Sequence, residues 1–328
     1  MKVLVTGASG FLGRAVASAL AARGDDVRTL QRRPSGVVGV ADVRGDVTDT
    51  ASVRAAVEGV DAIVHLAAKV SLVGAAADFD RVNVGGTRTV LREARAAGVR
   101  RFVHVSSPSV AHAGASLVGD PTLPADPGRA RGDYARTKAA GERLALAADA
   151  PDFAVVVVRP HLVWGPGDVQ LVGRIVERAR RRRLPLIGSG SALIDTTYVD
   201  NAVSALVAAL DRADAVHGRS FVVTNGEPRP VAELLAGICA ACGAPAPSWR
   251  VPASLARTAG GVVEAAWRIR PGRDEPPMTR FLAEQLSTAH WFDQRRIRAD
   301  LEWSPTVTID EGLALLAAWS AESERAKT

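Results

Sequence analysis

The sequence predicts an α/β protein: a doubly wound parallel sheet with a smaller C-terminal lobe. Three observations predict it. Short β-branched runs alternate with helical patterns through the first half of the chain, as a parallel sheet covered by helices on both faces requires. One run, Val155 to Val158, is apolar throughout, as a strand buried on both faces should be. A glycine-rich turn stands directly between the first strand and the first helix.

The elements follow in order. Lys2 to Val5 reads as a strand, and Phe11 to Arg23 as a helix with Leu12, Val16, Ala19 and Leu20 on one side. Asp26 to Leu30 is the second strand, and a third precedes Gly45. Ala51 to Val57, Val82 to Ala97 and Tyr134 to Ala148 read as helices. Ala62 to Leu66, Arg101 to Val105 and Ala154 to Val158 read as the strands between them. After Pro160 the regularity weakens. Turns stand at Gly165-Pro166-Gly167, Gly188-Ser189-Gly190 and Asn225-Gly226-Glu227-Pro228, and a loop runs from Ala244 to Pro252. The expected division is a nucleotide-binding domain over 1–164, with 198–225 returning to it, and a substrate lobe over 165–197 and 226–328. Ala253 to Ile269 suits a lid helix over the cleft better than a helix lying on a membrane surface.

Apolar residues make up 47% of the 328 and charged residues 23%, a globular composition. The net charge of +6 admits nucleic acid, an anionic surface or a phosphate-bearing ligand. The densest cluster, Arg178 with Arg180 to Arg183, follows an amphipathic stretch and lacks interleaved aromatics. It reads as a solvated helix end, so no nucleic acid is expected. Cys239 and Cys242 are too few for a disulfide framework and lack the second pair that zinc would need. They read as buried helix cysteines in a reducing, cytoplasmic setting, with no metal. Met1-Lys2 leads straight into a strand, and no run of about 18 apolar residues occurs, so neither a signal peptide nor a transmembrane helix is expected.

Thr6-Gly7-Ala8-Ser9-Gly10-Phe11-Leu12-Gly13 places glycines where a side chain would block a tight turn or the approach of a pyrophosphate. The helix start offers free N–H groups to the anion. The second strand ends in Gln31-Arg32-Arg33, with no acid to bind a ribose 2′-hydroxyl. Two arginines there suit a 2′-phosphate, hence NADP(H) over NAD(H). Asp46, followed by Val47, is placed to accept from an adenine amine. Ala67, Ala68 and Lys69 follow the fourth strand, where small residues suit close passage of a cofactor. Asn83 reads as a loop-fixing hydrogen-bonder or a helix cap.

Tyr134 and Lys138 stand four apart in a helical pattern, on one face. A phenol with a free pKa of about 10 becomes a usable acid or base if an adjacent ammonium lowers that value. Ser107, just past the strand that ends in Val105 and beside Ser106, is placed to hydrogen-bond the same substrate oxygen.

Together, Thr6 to Gly13, Asp46, Asn83, Ser106-Ser107, Tyr134, Lys138 and Arg159-Pro160 resemble the extended short-chain dehydrogenase/reductase family over most of the chain. The resemblance implies a Rossmann-type core, a C-terminal substrate lobe and a homodimer through the helices near 82–97 and 136–148. It also implies that Pro160, Leu162 and Val163 lie near the nicotinamide. Within the family the chain is similar to the 3β-hydroxysteroid dehydrogenase branch, including reductases of long-chain 2-alkyl-3-oxo acids in olefin formation. Ala67 to Lys69, Ser107 to Val110, Val163 to Asp168, Leu193 to Asn201, Asn225 to Pro228, Thr279 to Leu282 with Glu284 to Leu286, and His290-Trp291-Phe292 carry that similarity. Where those reductases have an arginine after Pro160, this chain has His161.

The expected activity is NADPH-driven reduction of the 3-oxo group of a long-chain 2-alkyl acid, a small hydrophobic acid substrate, to the 2-alkyl-3-hydroxy acid. Tyr134 would donate the proton, Lys138 would tune it, and Ser107 would orient the carbonyl. Trp164, Trp267, Phe281 and Trp291 are candidate walls of an apolar channel, and Lys69, His161 and Arg280 candidate cations for the carboxylate. Such a substrate suits an acyl-processing partner enzyme or peripheral membrane contact. The alternatives are 3β-hydroxysteroid dehydrogenation, nucleotide-sugar epimerisation or reduction, and a cofactor-sensing protein without turnover.

Overall fold

A computed structural model of the chain describes residues 1–71, 74–111, 115–269 and 279–326. Seven parallel strands form the main sheet: β1 (Lys2–Thr6), β2 (Asp26–Gln31), β3 (Ala41–Arg44), β4 (Ala62–His65), β5 (Arg101–Val105), β6 (Ala154–Pro160) and β7 (Arg219–Val223). Their order is β7-β6-β5-β4-β1-β2-β3. The order reverses between β1 and β4, so their C-terminal ends part there and open a crevice.

Successive strand residues point to opposite faces, and both faces are covered. Val3, Val5, Val64, Val103 and Val156 pack with Val16 and Leu20 of α1 (Phe11–Ala22) and with Leu206 of the helix Val199–Asp211. Leu4, Ile63, Phe102 and Val155 pack with α2 (Thr50–Val57), α3 (Thr87–Ala96) and Ala145 of α4 (Gly132–Ala147). The all-apolar β6 is buried along its whole length.

The helix expected from Val82 instead begins at Ala76, passes through wide, π-type turns over Asp80–Gly86 and continues as α3. α4 crosses this stretch so closely that a Cβ on Gly141 would lie 2.7 Å from the Asn83 carbonyl oxygen.

In the lobe, Arg229–Pro230, Leu193–Ile194, His290–Phe292 and Leu117–Asp120 form a second, four-stranded sheet. Leu117–Asp120 comes from the first half of the chain and had no sequence signal. The arginine cluster ends the helix Val172–Arg180. Cys239 and Cys242 are free and buried at the end of the helix Val231–Ala241. The helix Ile309–Arg325 opens with a Thr308–Glu311 capping box. Just before it, Asn201 and Asn225 both donate to the Val307 carbonyl, at 2.7 and 2.9 Å. Among the described residues, no helix is long and apolar enough to cross a membrane.

Candidate active site

The glycine turn leaves β1 at the crevice. Gly7 takes φ +77, and a Cβ there would lie 2.9 Å from the Ala67 backbone nitrogen at the end of β4. A Cβ on Gly13 would lie 2.4 Å from the Gly7 carbonyl oxygen. α1 starts after Gly10 with no side-chain cap on its first N–H groups, which leaves donors for an anion. Gly10 is exposed, and Ser9, Phe11 and Leu12 are half-buried around it. These features fit a pyrophosphate.

A buried chain of hydrogen bonds ties the turn to the neighbouring elements. Thr6 Oγ1 accepts from the Ala67 N–H at 3.1 Å and contacts His65 Nδ1 at 2.8 Å. His65 Nε2 contacts Thr87 Oγ1 at 3.2 Å, and that hydroxyl donates to the Asn83 carbonyl at 2.8 Å. Burial, then the charge of Lys138, pushes His65 down to about 3, so this histidine is neutral. Asn83 is not a helix cap. Its Oδ1 accepts from the Lys69 N–H at 2.7 Å, and its Nδ2 donates to the Lys69 carbonyl and to Thr137 on α4. Asn83 therefore fixes the loop Ala67-Ala68-Lys69 against α4.

Tyr134 and Lys138 both project from α4, and Tyr134 hydrogen-bonds Ser107. Ser107 Oγ also accepts from Ser109 Oγ at 3.0 Å, which orients its lone pairs and proton. Ser106 is buried, its N–H bonded to Val158. Lys138 Nζ donates to the Val105 carbonyl at 2.5 Å. The expected lowering of the phenol is not what these residues produce. Burial raises Tyr134 to about 12, against the Ser107 hydrogen bond. Burial lowers Lys138 to about 8, against the charge of Glu142 one turn further along α4. Glu142 is fully buried and clamps Arg159 of β6 in a bidentate pair.

At the end of β2, Gln31 is buried and its amide donates to Thr29 and to Asp42 of β3, at 3.0 and 3.1 Å. Arg32 and Arg33 are exposed beside it. Asp46 accepts from the Thr48 N–H and hydroxyl, both at 2.9 Å. Val47 packs beside Gly86, where a Cβ would lie 2.8 Å from its Cγ2. Past Pro160, Leu162 holds the left-handed φ of +45 before Val163 pairs with Thr197. A non-glycine residue there stores backbone strain, which gathers at functional sites.

The lobe corrects several expectations. Trp164 is no channel wall: it is 1% exposed, donates to Thr196 Oγ1 and stacks edge-on against Tyr198. Trp291 covers Gly119 within the second sheet, and Trp267 is half-buried. The Phe281 side chain lies outside the described residues. Among the expected cations, Lys69 pairs with Asp78 at 3.1 Å and lies over the Phe79 ring. His161 is buried, with Nδ1 2.6 Å from the Asp195 carbonyl. Arg280 pairs with Glu284 at 3.2 Å. Sequence reasoning missed Arg131. It stands just before α4, three residues ahead of Tyr134, and reaches Glu284 of the helix Arg280–Ser287 at 3.7 Å. Only the fold brings these two together.

The model of the NAD-dependent epimerase/dehydratase family matches residues 3–224. A 2-alkyl-3-oxoalkanoate reductase of Stenotrophomonas maltophilia is 42% identical over 98% of this chain and 100% of its own. A 3β-hydroxysteroid dehydrogenase/Δ5→4-isomerase of Mycobacterium tuberculosis is 32% identical over 95% of this chain and 88% of its own. The solved structure of MoeE5 with UDP-glucose and NAD superposes with a TM-score of 0.76 at 25% identity, covering 99% of this chain and 100% of that one.

Proposed function

The chain belongs to the NAD-dependent epimerase/dehydratase family and is an oxidoreductase of the extended short-chain dehydrogenase/reductase type, and we propose that it reduces the 3-oxo group of a long-chain 2-alkyl-3-oxoalkanoic acid with NADPH. The observation that carries this reading is the 42% identity to a reductase of that name, which extends through the lobe.

A nicotinamide bound in the crevice would supply hydride. The turn from Gly7 to Gly13, Asp46, Val47, the loop Ala67 to Lys69, Asn83, Pro160, Leu162 and Val163 are the residues assigned to hold it. The preference for NADPH rests on Arg32 and Arg33, because Gln31 commits its amide to Asp42. A phenol raised to about 12 keeps its proton at neutral pH, which suits Tyr134 as the acid that protonates the new alkoxide. Ser107 would orient the carbonyl, and the Lys138 ammonium would stabilise the phenolate left behind. Arg131, three residues from Tyr134, is the cation assigned to the substrate carboxylate. The helices α3 and α4 are assigned to a homodimer.

Relatives at 32% identity that act as 3β-hydroxysteroid dehydrogenases favour a second reading with the same Tyr134 chemistry. NADPH oxidation with a synthetic 2-alkyl-3-oxo acid, run beside NADH and beside a 3β-hydroxysterol with NAD+, separates the two. Turnover of the keto acid with NADPH supports the proposal. Sterol oxidation with silence on the keto acid overturns it and leaves Tyr134→Phe inactive all the same.

A further inference from the structure

The helix Ala253–Ile269 carries two apolar stripes. Ala256 and Gly260 are buried, and Val263 and Trp267 on the same face are half-buried. Leu255, Ala259, Val262 and Ala266 form a second stripe at the same helical spacing, and all four are exposed. Leu255 is 59% exposed and Val262 66%. One apolar face is enough for a helix that only closes over its own lobe.

The surface next to this stripe is basic. Residues 178–194 hold five arginines and no acid, and residues 234–263 hold two arginines and no acid. A short strand pair joins the two segments, with Arg250 opposite Leu186 and the Leu186 N–H bonded to the Trp249 carbonyl. Trp249 is 46% exposed and lines a shallow cleft with Arg182. Arg180 and Arg181 are engaged by Glu324 and Glu177. Arg182, Arg183 and Arg250 are exposed and make no ion pair among the described residues.

We infer that this face docks the protein on an anionic phospholipid surface, with Arg182, Arg183 and Arg250 at the headgroups, Trp249 at the interface and the stripe from Leu255 to Ala266 against the acyl boundary. Charge complementarity selects the occupant: three exposed arginines that make no ion pair among the described residues, beside an amphipathic helix and an exposed indole, are the combination that anionic bilayers bind. A neutral protein partner would need the apolar stripe but not the unpaired arginines. The inference does not depend on which ketone is reduced.

The test is co-sedimentation of the full chain with phosphatidylcholine vesicles, with and without phosphatidylglycerol. The expected result is binding only when the anionic lipid is present, weakened by added salt. The triple variant Arg182→Gln/Arg183→Gln/Arg250→Gln should lose about a hundredfold in partitioning, at roughly fivefold per basic side chain. Leu255→Ser/Val262→Ser should also weaken binding and make what remains fully reversible by salt. Both variants should keep wild-type circular dichroism and wild-type turnover of a short, water-soluble ketone. Equal binding to neutral vesicles, no binding at all, or a triple variant that binds like wild type would each overturn the inference.

Discussion

The Lys138 ammonium and the Val105 carbonyl are joined by a hydrogen bond of 2.5 Å, which anchors α4 to the end of β5. That bond uses one of three ammonium protons, so the cation is fixed in place with donors to spare.

Its titration predicts two opposite slopes. Burial lowers Lys138 from 10.5 to about 8. Between those values the unfolded chain holds the extra proton, so this residue's contribution to stability rises with pH. Reduction should fall over the same range, because neutral Lys138 no longer supports the phenolate. Rate and melting profiles from pH 7 to 10 check both slopes. Lys138→Met should abolish the rise in stability. A rate that climbs through pH 8 would contradict the role given to the ammonium.

Asp195 carries a second pH prediction. It is buried and accepts from Thr224 Oγ1 and from the N–H groups of Gly226 and Glu227. Burial pushes it up from 3.8 to about 6 against those hydrogen bonds. The native state therefore holds the proton more tightly. The resulting stabilisation is complete below pH 3.8 and lost as pH rises through about 6, an effect of roughly 3 kcal/mol. Asp195→Asn should flatten that slope and melt no lower than wild type at pH 7. An unchanged slope would mean that another group is responsible.

The fully buried pair of Glu142 and Arg159 lies one turn beyond Lys138. Removing one member strands a charge, so Glu142→Ala should cost about 3–5 kcal/mol. Replacing both by apolar residues should cost much less. Denaturant unfolding of the two singles and the double measures the coupling, and additive losses would refute it.

Gly13→Ala should loosen the cofactor site without touching Tyr134. Its Cβ would meet the Gly7 carbonyl oxygen at 2.4 Å, so the turn must shift, at a cost of about 1–3 kcal/mol. Calorimetric titration with the cofactor should show weaker binding by a similar amount. Wild-type affinity would show that the turn can yield.

What was legible in the sequence was local. The turn from Gly7 to Gly13 lies between a strand and a helix within a dozen residues, and Tyr134 and Lys138 share one helical face. The alternation of strands with helices pointed to a parallel sheet covered on both faces, and the all-apolar Val155 to Val158 to a strand buried on both sides. The misread features depend on packing between distant segments. Tyr134 is raised rather than lowered because only the packed fold buries it, and Lys138 reaches the end of β5 because the sheet decides what lies behind α4. Gln31 turns toward Asp42 because β3 pairs beside β2. Leu117–Asp120 becomes a strand because His290–Phe292 offers it an edge, and Arg131 meets Glu284 from a helix far along the chain.

The two asparagines that grip Val307 also bear on the order of folding. Asn201 also bonds Asn225 at 2.9 Å and accepts from the N–H of Thr306, while Asn225 accepts from the N–H of Tyr198. This knot spans 106 residues from Asn201 to Val307, so closing it costs more loop entropy than any strand pairing of the main sheet. During synthesis, both asparagines wait with open hydrogen-bonding groups until residues 306–307 leave the ribosome. A chain that ended before that point would carry the glycine turn and all seven strands of the main sheet but would leave both asparagines without the Val307 carbonyl.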